Sequence, residues 1–227
     1  MIADPKRTLG RLRDVDESIL QRRDMRAVVA LALPLTIFVL LAAAVTFHVA
    51  VGWDTSVLRF AERHYDAPLV GPLGRFLRVT LVLGVAVAVS LTAAALVRHR
   101  GDRALFWALL PAGVLALDLL LKELFRRPEL GGPEGYSFPS GNALGSAAFA
   151  TAVFLVSSPG VRRLVVVIAV PLVVAYGAAL VYAWWHYPTD VLAGWSLGVV
   201  WTGALWLALC RRVRGDASKA TRPRARG

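Results

Sequence analysis

His186-Tyr187-Pro188-Thr189-Asp190, set between Trp184-Trp185 and the apolar run that opens at Val191, decides how this chain is read. A second polar motif, Phe138-Pro139-Ser140-Gly141-Asn142, stands in the same relation to the apolar run from Ala143. Each lies where a long apolar helix is about to begin. Ser140 can cap the helix after it, Gly141 lets backbone approach a ligand, and a helix start offers free N–H groups and a positive dipole end to an anion. Taken alone, Pro-Ser-Gly reads first as a plain helix start. His186 and Asp190 share a helix face at their four-residue spacing, and a carboxylate on one imidazole nitrogen makes the other a better nucleophile or base. The alternative for His186 is a place in an interfacial aromatic belt beside Trp184, Trp185 and Tyr187.

The chain around these motifs is built for a membrane. Of its 227 residues 57% are hydrophobic. A bilayer core asks for about 20 apolar residues per helix, and six segments answer it, at 27–50, 77–97, 104–121, 143–158, 164–185 and 190–210. The expected fold is all-α: a polytopic six-transmembrane-helix bundle over 27–212, with a basic arm at 1–26 and a disordered basic tail at 213–227. The charged first 26 residues lack the apolar stretch of a cleavable signal peptide.

Net charge is +11, and its placement matters more than its size. Nineteen of the 26 Lys and Arg fall in the N-terminal arm, the 98–103 turn, Arg162-Arg163 and the C-terminal tail. With six spans these all lie on one side, so the positive-inside rule puts both termini in the cytoplasm. The 122–142 loop and the His186 turn then face outward. The basic tails are read as anchors for anionic lipid headgroups rather than as a nucleic-acid surface. One cysteine, Cys210, allows neither an intrachain disulfide nor a cysteine metal cluster.

Two further stretches bear on the site. Between the first two spans, Val57, Leu58, Phe60 and Ala61 after Trp53-Asp54 have helical spacing, with Arg59, Glu62 and Arg63 interleaved, the pattern of a helix lying on the outer leaflet. Pro68, Gly71, Pro72 and Gly74 are expected to break it before the second span. Lys122 closes the third span, with Arg126 and Arg127 a turn later. These cations could clamp a phosphate. Asp118 stands one turn before Lys122, so an ion pair inside the membrane is an equal reading and the two are compatible.

The order Lys, Arg-Pro, Pro-Ser-Gly and His-Tyr-Pro-x-Asp, with Trp53-Asp54 before it and Val191-Leu192-Ala193-Gly194-Trp195 after it, resembles the type-2 phosphatidic acid phosphatase superfamily, which includes the vanadium haloperoxidases. The resemblance implies a six-helix bundle and a metal-independent, cofactor-free enzyme that hydrolyses a lipid phosphate or diphosphate, polyprenyl or glycerolipid, at the outer face of the cell membrane through a phosphohistidine. The family signatures run Lys-x6-Arg-Pro, Pro-Ser-Gly-His and Ser-Arg-x5-His-x3-Asp. Carried over by position, they imply His186 and Asp190 as catalytic residues, and Lys122, Ser140 and Gly141 as phosphate ligands. Asn142 replaces the second signature's histidine. The first signature's arginine falls on Glu129, with Arg127 as a substitute two residues earlier, and the third signature's Ser-Arg falls on Ala179-Leu180. Asp118 and Glu129 are candidate supporting carboxylates. The departures keep two alternatives open: an impaired member that binds or moves a lipid phosphate or scaffolds a partner, and a non-hydrolytic enzyme of headgroup transfer or isoprenoid diphosphate departure.

Overall fold

The computed structural model describes residues 28–220, apart from 65 and 131, together with Met25. Apart from Met25, the basic arm at 1–26 lies outside the described residues, as do the last seven residues of the tail. Seven helices and one hairpin follow in order: α1 (Val28–Thr46), α2 (Val51–Arg63), α3 (Ala67–Val97), α4 (Gly101–Phe125), β1 (Pro128–Glu129), β2 (Gly132–Tyr136), α5 (Gly141–Val156), α6 (Pro159–Tyr182) and α7 (Pro188–Ala220). Five of them, α1, α3, α4, α6 and the apolar part of α7, are long and apolar enough to cross a bilayer. The sixth expected span, α5, is apolar but only 16 residues long.

Two expectations need correction. Helix α3 starts at Ala67 and runs through Pro72. Pro68 stands in the first turn, where its missing N–H would have had no partner. Pro72 removes only a bond near the exposed start of the helix. Helix α7 continues to Ala220, so the backbone is helical through the first part of the stretch expected to be a disordered tail from residue 213. The segment between α4 and α5 contains an antiparallel hairpin that pairs Pro128 with Tyr136 and Glu129 with Gly132.

The tightest packing joins α5 to α7. A methyl group on Gly194 would come within 2.5 Å of the Ser140 carbonyl oxygen, and one on Gly198 within 2.4 Å of the Leu144 carbonyl oxygen. A turn further along, the Thr202 hydroxyl donates to the Ala148 carbonyl at 3.2 Å. Small residues at four-residue spacing let two backbones meet where lipid supplies no hydrophobic drive. This contact fixes the head of α5 against the head of α7, which is where both polar motifs lie.

An apolar cluster of Leu77, Ala143, Tyr176, Leu180, Ala183 and Val191 packs α3, α5, α6 and α7 together just beneath that end. Phe138 is fully buried in another, with Ala42, Val45, Ala50 and Ala193. The Tyr182 hydroxyl accepts from the Asp66 N–H at 2.8 Å and donates to the His64 carbonyl at 2.9 Å, tying the α2–α3 turn to the end of α6.

Candidate active site

Ser140 is fully buried and caps α5, its hydroxyl oxygen accepting from the Ala143 N–H at 3.3 Å. Its own N–H donates to the Asp190 carbonyl at 3.0 Å. The two motifs are therefore joined backbone to backbone. The segment before Ser140 is held with equal care: the Phe138-Pro139 peptide is cis, and the Ser137 N–H donates to the Arg127 carbonyl at 2.8 Å. The hairpin thus folds Arg127 back over the start of α5.

His186 is buried, at the turn between α6 and α7. Its Nδ1 lies 3.9 Å from Asp190 Oδ2, within ion-pair range but beyond a hydrogen bond, and has no hydrogen-bond partner. The two side chains come close, although His186 stands in the turn before α7 begins rather than on the helix that carries Asp190. The Asp190 carboxylate, however, serves other donors. Its Oδ2 accepts from the Tyr187 N–H at 3.1 Å and its Oδ1 from Arg127 at 2.6 Å.

Arg127 is the centre of a buried ionic cluster. One terminal nitrogen donates to Asp190 Oδ1 at 2.6 Å and to the Thr189 hydroxyl at 2.7 Å, and the other donates to Asp54 Oδ2 at 2.6 Å. Asp54 is 1% exposed, and it also accepts from the Thr189 N–H at 3.0 Å and hydroxyl at 2.7 Å. The guanidinium lies over the Tyr187 ring, 3.8 Å from its centroid. Burial pushes the Tyr187 phenol up; Arg127 lowers it, while Asp190 and Asp54 raise it further. The ring therefore stays neutral under the cation. Two carboxylates facing one guanidinium leave the trio with a formal charge of −1, so Arg127 holds no uncompensated charge for a ligand.

The sequence marks Asp54 only as part of the resemblance and gives it no role in the site. The available signal was its spacing: Asp54, Leu58 and Ala61 lie at i, i+4 and i+7 and form the buried face of α2. A carboxylate on that face needs a buried cation.

Lys122 and Asp118 form the pair that their spacing predicts, with Nζ 3.4 Å from Oδ1. Asp118 also lies against Gly141, where a methyl group would fall 2.4 Å from its Oδ1. Asn142 is half-buried in the first turn of α5. Glu129 is exposed and its carboxylate lies against Gly135 across the hairpin; among the described residues no hydrogen bond or ion pair joins it to His186 or Asp190. Leu180 is fully buried in the apolar cluster with Leu77, Ala143 and Val191. A cavity of about 630 Å³ opens beside the ionic cluster, and Asp54, Arg126, Arg127 and Tyr187 form part of its wall.

Residues 119–214, which carry Lys122, both motifs and α5 to α7, match the family model described as the PAP2 superfamily. This stretch belongs to the PAP2 superfamily. The fold agrees beyond it: the chain is similar to the crystal structure of the first transmembrane PAP2-type phosphatidylglycerolphosphate phosphatase from Bacillus subtilis, at 24% identity and a TM-score of 0.61. That likeness covers 84% of this chain and 98% of the other. No curated protein matches the chain. With five helices long and apolar enough to cross a bilayer, in a fold shared with a transmembrane protein, this chain is a multi-pass membrane protein.

Proposed function

We propose that this protein is a metal-independent lipid phosphatase whose nucleophile is His186, acting on a lipid phosphate or diphosphate at the extracytoplasmic face of a six-span bundle. The observation that carries the reading is the Ser140 N–H to Asp190 carbonyl bond, which brings the anion-binding head of α5 and the histidine turn into one place. The positive-inside distribution of Lys and Arg supports the outward face and cytoplasmic termini.

In this mechanism Nδ1 of His186 faces Asp190 and Nε2 attacks phosphorus. The N–P bond forms as the bond from that phosphorus to the leaving oxygen breaks, the lipid oxygen in a monophosphate and the bridging oxygen in a diphosphate; water then attacks the phosphohistidine, breaking the N–P bond to release phosphate and restore His186. Lys122, the Ser140-Gly141 backbone and the amide of Asn142 stabilise the equatorial oxygens. Arg127 acts at one remove, holding Asp190, and through it the histidine turn, in place. Asn142 cannot supply the proton that an alkoxide leaving group needs, so water does, at a cost of about 10²–10⁴ in rate. A diphosphate loses less, because phosphate departs without that help.

A second reading is favoured by the same cluster. With Arg127 matched by two carboxylates and Leu180 where the family has arginine, the site suits holding a lipid phosphate as much as cleaving it. Phosphate release by purified protein from phosphatidic acid, phosphatidylglycerolphosphate and a polyprenyl diphosphate separates the two. Release that His186→Ala abolishes supports the enzyme; saturable binding of the same lipids without release supports the binder.

A further inference from the structure

We propose that Asp118 is the internal counter-anion of Lys122, competing with the substrate phosphate and so setting its affinity; this rests on the reading of Lys122 as a phosphate ligand. Three observations carry it. The first is the pair itself, 3.4 Å between Nζ and Oδ1 on side chains 25% and 18% exposed. The second is position. A methyl group at Gly141 would meet Asp118 Oδ1 at 2.4 Å and Oδ2 at 3.0 Å, so the carboxylate lies against the first residue of α5, beside the helix end expected to receive an anion. The third is that Asp118 Oδ1 is buried with no hydrogen bond.

These facts together describe a carboxylate placed among positive features but incompletely satisfied by them. A structural ion pair inside a membrane protein gains most when hydrogen bonds complete it. Here the distance is long and a lone pair is left over, which makes the pair a weaker ionic link than either contact of Arg127. The contrast with Arg127 is direct, because that guanidinium makes 2.6 Å contacts to both of its carboxylates. Lys122 is thus the cation that can change partner. A phosphate arriving at the head of α5 takes the ammonium from Asp118, and the negative charge of Asp118 opposes it until it does. A side chain at position 141 would have to displace the Asp118 carboxylate.

The test uses the full chain in detergent, with inorganic phosphate as the probe, read both as inhibition of lipid phosphate hydrolysis and as direct binding by calorimetry. Asp118→Asn should tighten phosphate by about fivefold, the worth of one partly exposed ion pair. It should lower KM while leaving kcat less affected. Asp118→Ser reads the same quantity if the amide variant does not fold. Phosphate binding by the parent with no tightening in either uncharged variant would overturn the role of Asp118 alone. No phosphate binding by parent or variants would overturn the reading of the site beneath it.

Discussion

Arg127 bridges Asp54 and Asp190, with a 2.6 Å contact from a different terminal nitrogen to each carboxylate. It thereby links α2 to the head of α7 through a residue of the loop after α4. Removing one partner of a buried ion pair leaves the others uncompensated. Arg127→Ala should therefore destabilise the protein by about 3–5 kcal/mol. Thermal unfolding in detergent would show it as a large drop in Tm, and Arg127→Lys should recover little, since an ammonium cannot bridge two carboxylates in the planar fork geometry. A neutral effect of Arg127→Ala would mean that the cluster contributes nothing to the fold.

The missing family arginine can be put back. Leu180 is fully buried among Leu77, Ala143, Tyr176 and Val191. Leu180→Arg should not raise activity, because a charge forced into that cluster costs several kcal/mol, on the order of 3 or more. Lower expression and a lower Tm are expected; a stable variant with faster turnover would show that the cluster opens to admit the cation.

The missing acid is a different case. Asn142 is half-buried in the first turn of α5, beside the Ser140 cap. Asn142→His should raise kcat on a lipid phosphate monoester by up to about 10²-fold, the low end of a general-acid contribution. On a diphosphate the gain should be smaller. Equal gains on both substrates would argue against protonation of the leaving group as the missing step.

The α5–α7 contact predicts a coupling between packing and chemistry. A methyl group at Gly194 would press on the Ser140 carbonyl at 2.5 Å and on the Leu144 nitrogen at 3.0 Å, both of them backbone atoms. Gly194→Ala should cost about 1–3 kcal/mol as overpacking. It should also reduce turnover, by parting Ser140 from Asp190. Loss of stability with full activity would separate the two effects and count against the joined motifs as the basis of the site.

The heads of α5 and α7 were legible because their signals are local: a serine cap at Ser140 and apolar runs of membrane length. The His186 and Asp190 spacing was legible for the same reason. What the sequence did not disclose was the partner of each charge. Arg127 looked like a free phosphate ligand because Asp54 stands 73 positions earlier in the chain and belongs to a helix whose amphipathic pattern suggested a surface role. Likewise the contact of Asp118 with Gly141 depends on how α4 packs on α5. Pro72 misled in the other direction, since a proline near a helix start costs only one bond at its exposed end.

The central claim is that His186 takes the phosphoryl group from a lipid. The direct measurement is mass spectrometry of the protein after mixing with a lipid phosphate and quenching in alkali, where a phosphorylated histidine survives. A phosphoryl group is expected on the peptide that contains His186 and not on that of His186→Ala, which should also release no phosphate. Phosphate release by His186→Ala at the parent's rate, with no label on the parent's peptide, would contradict it.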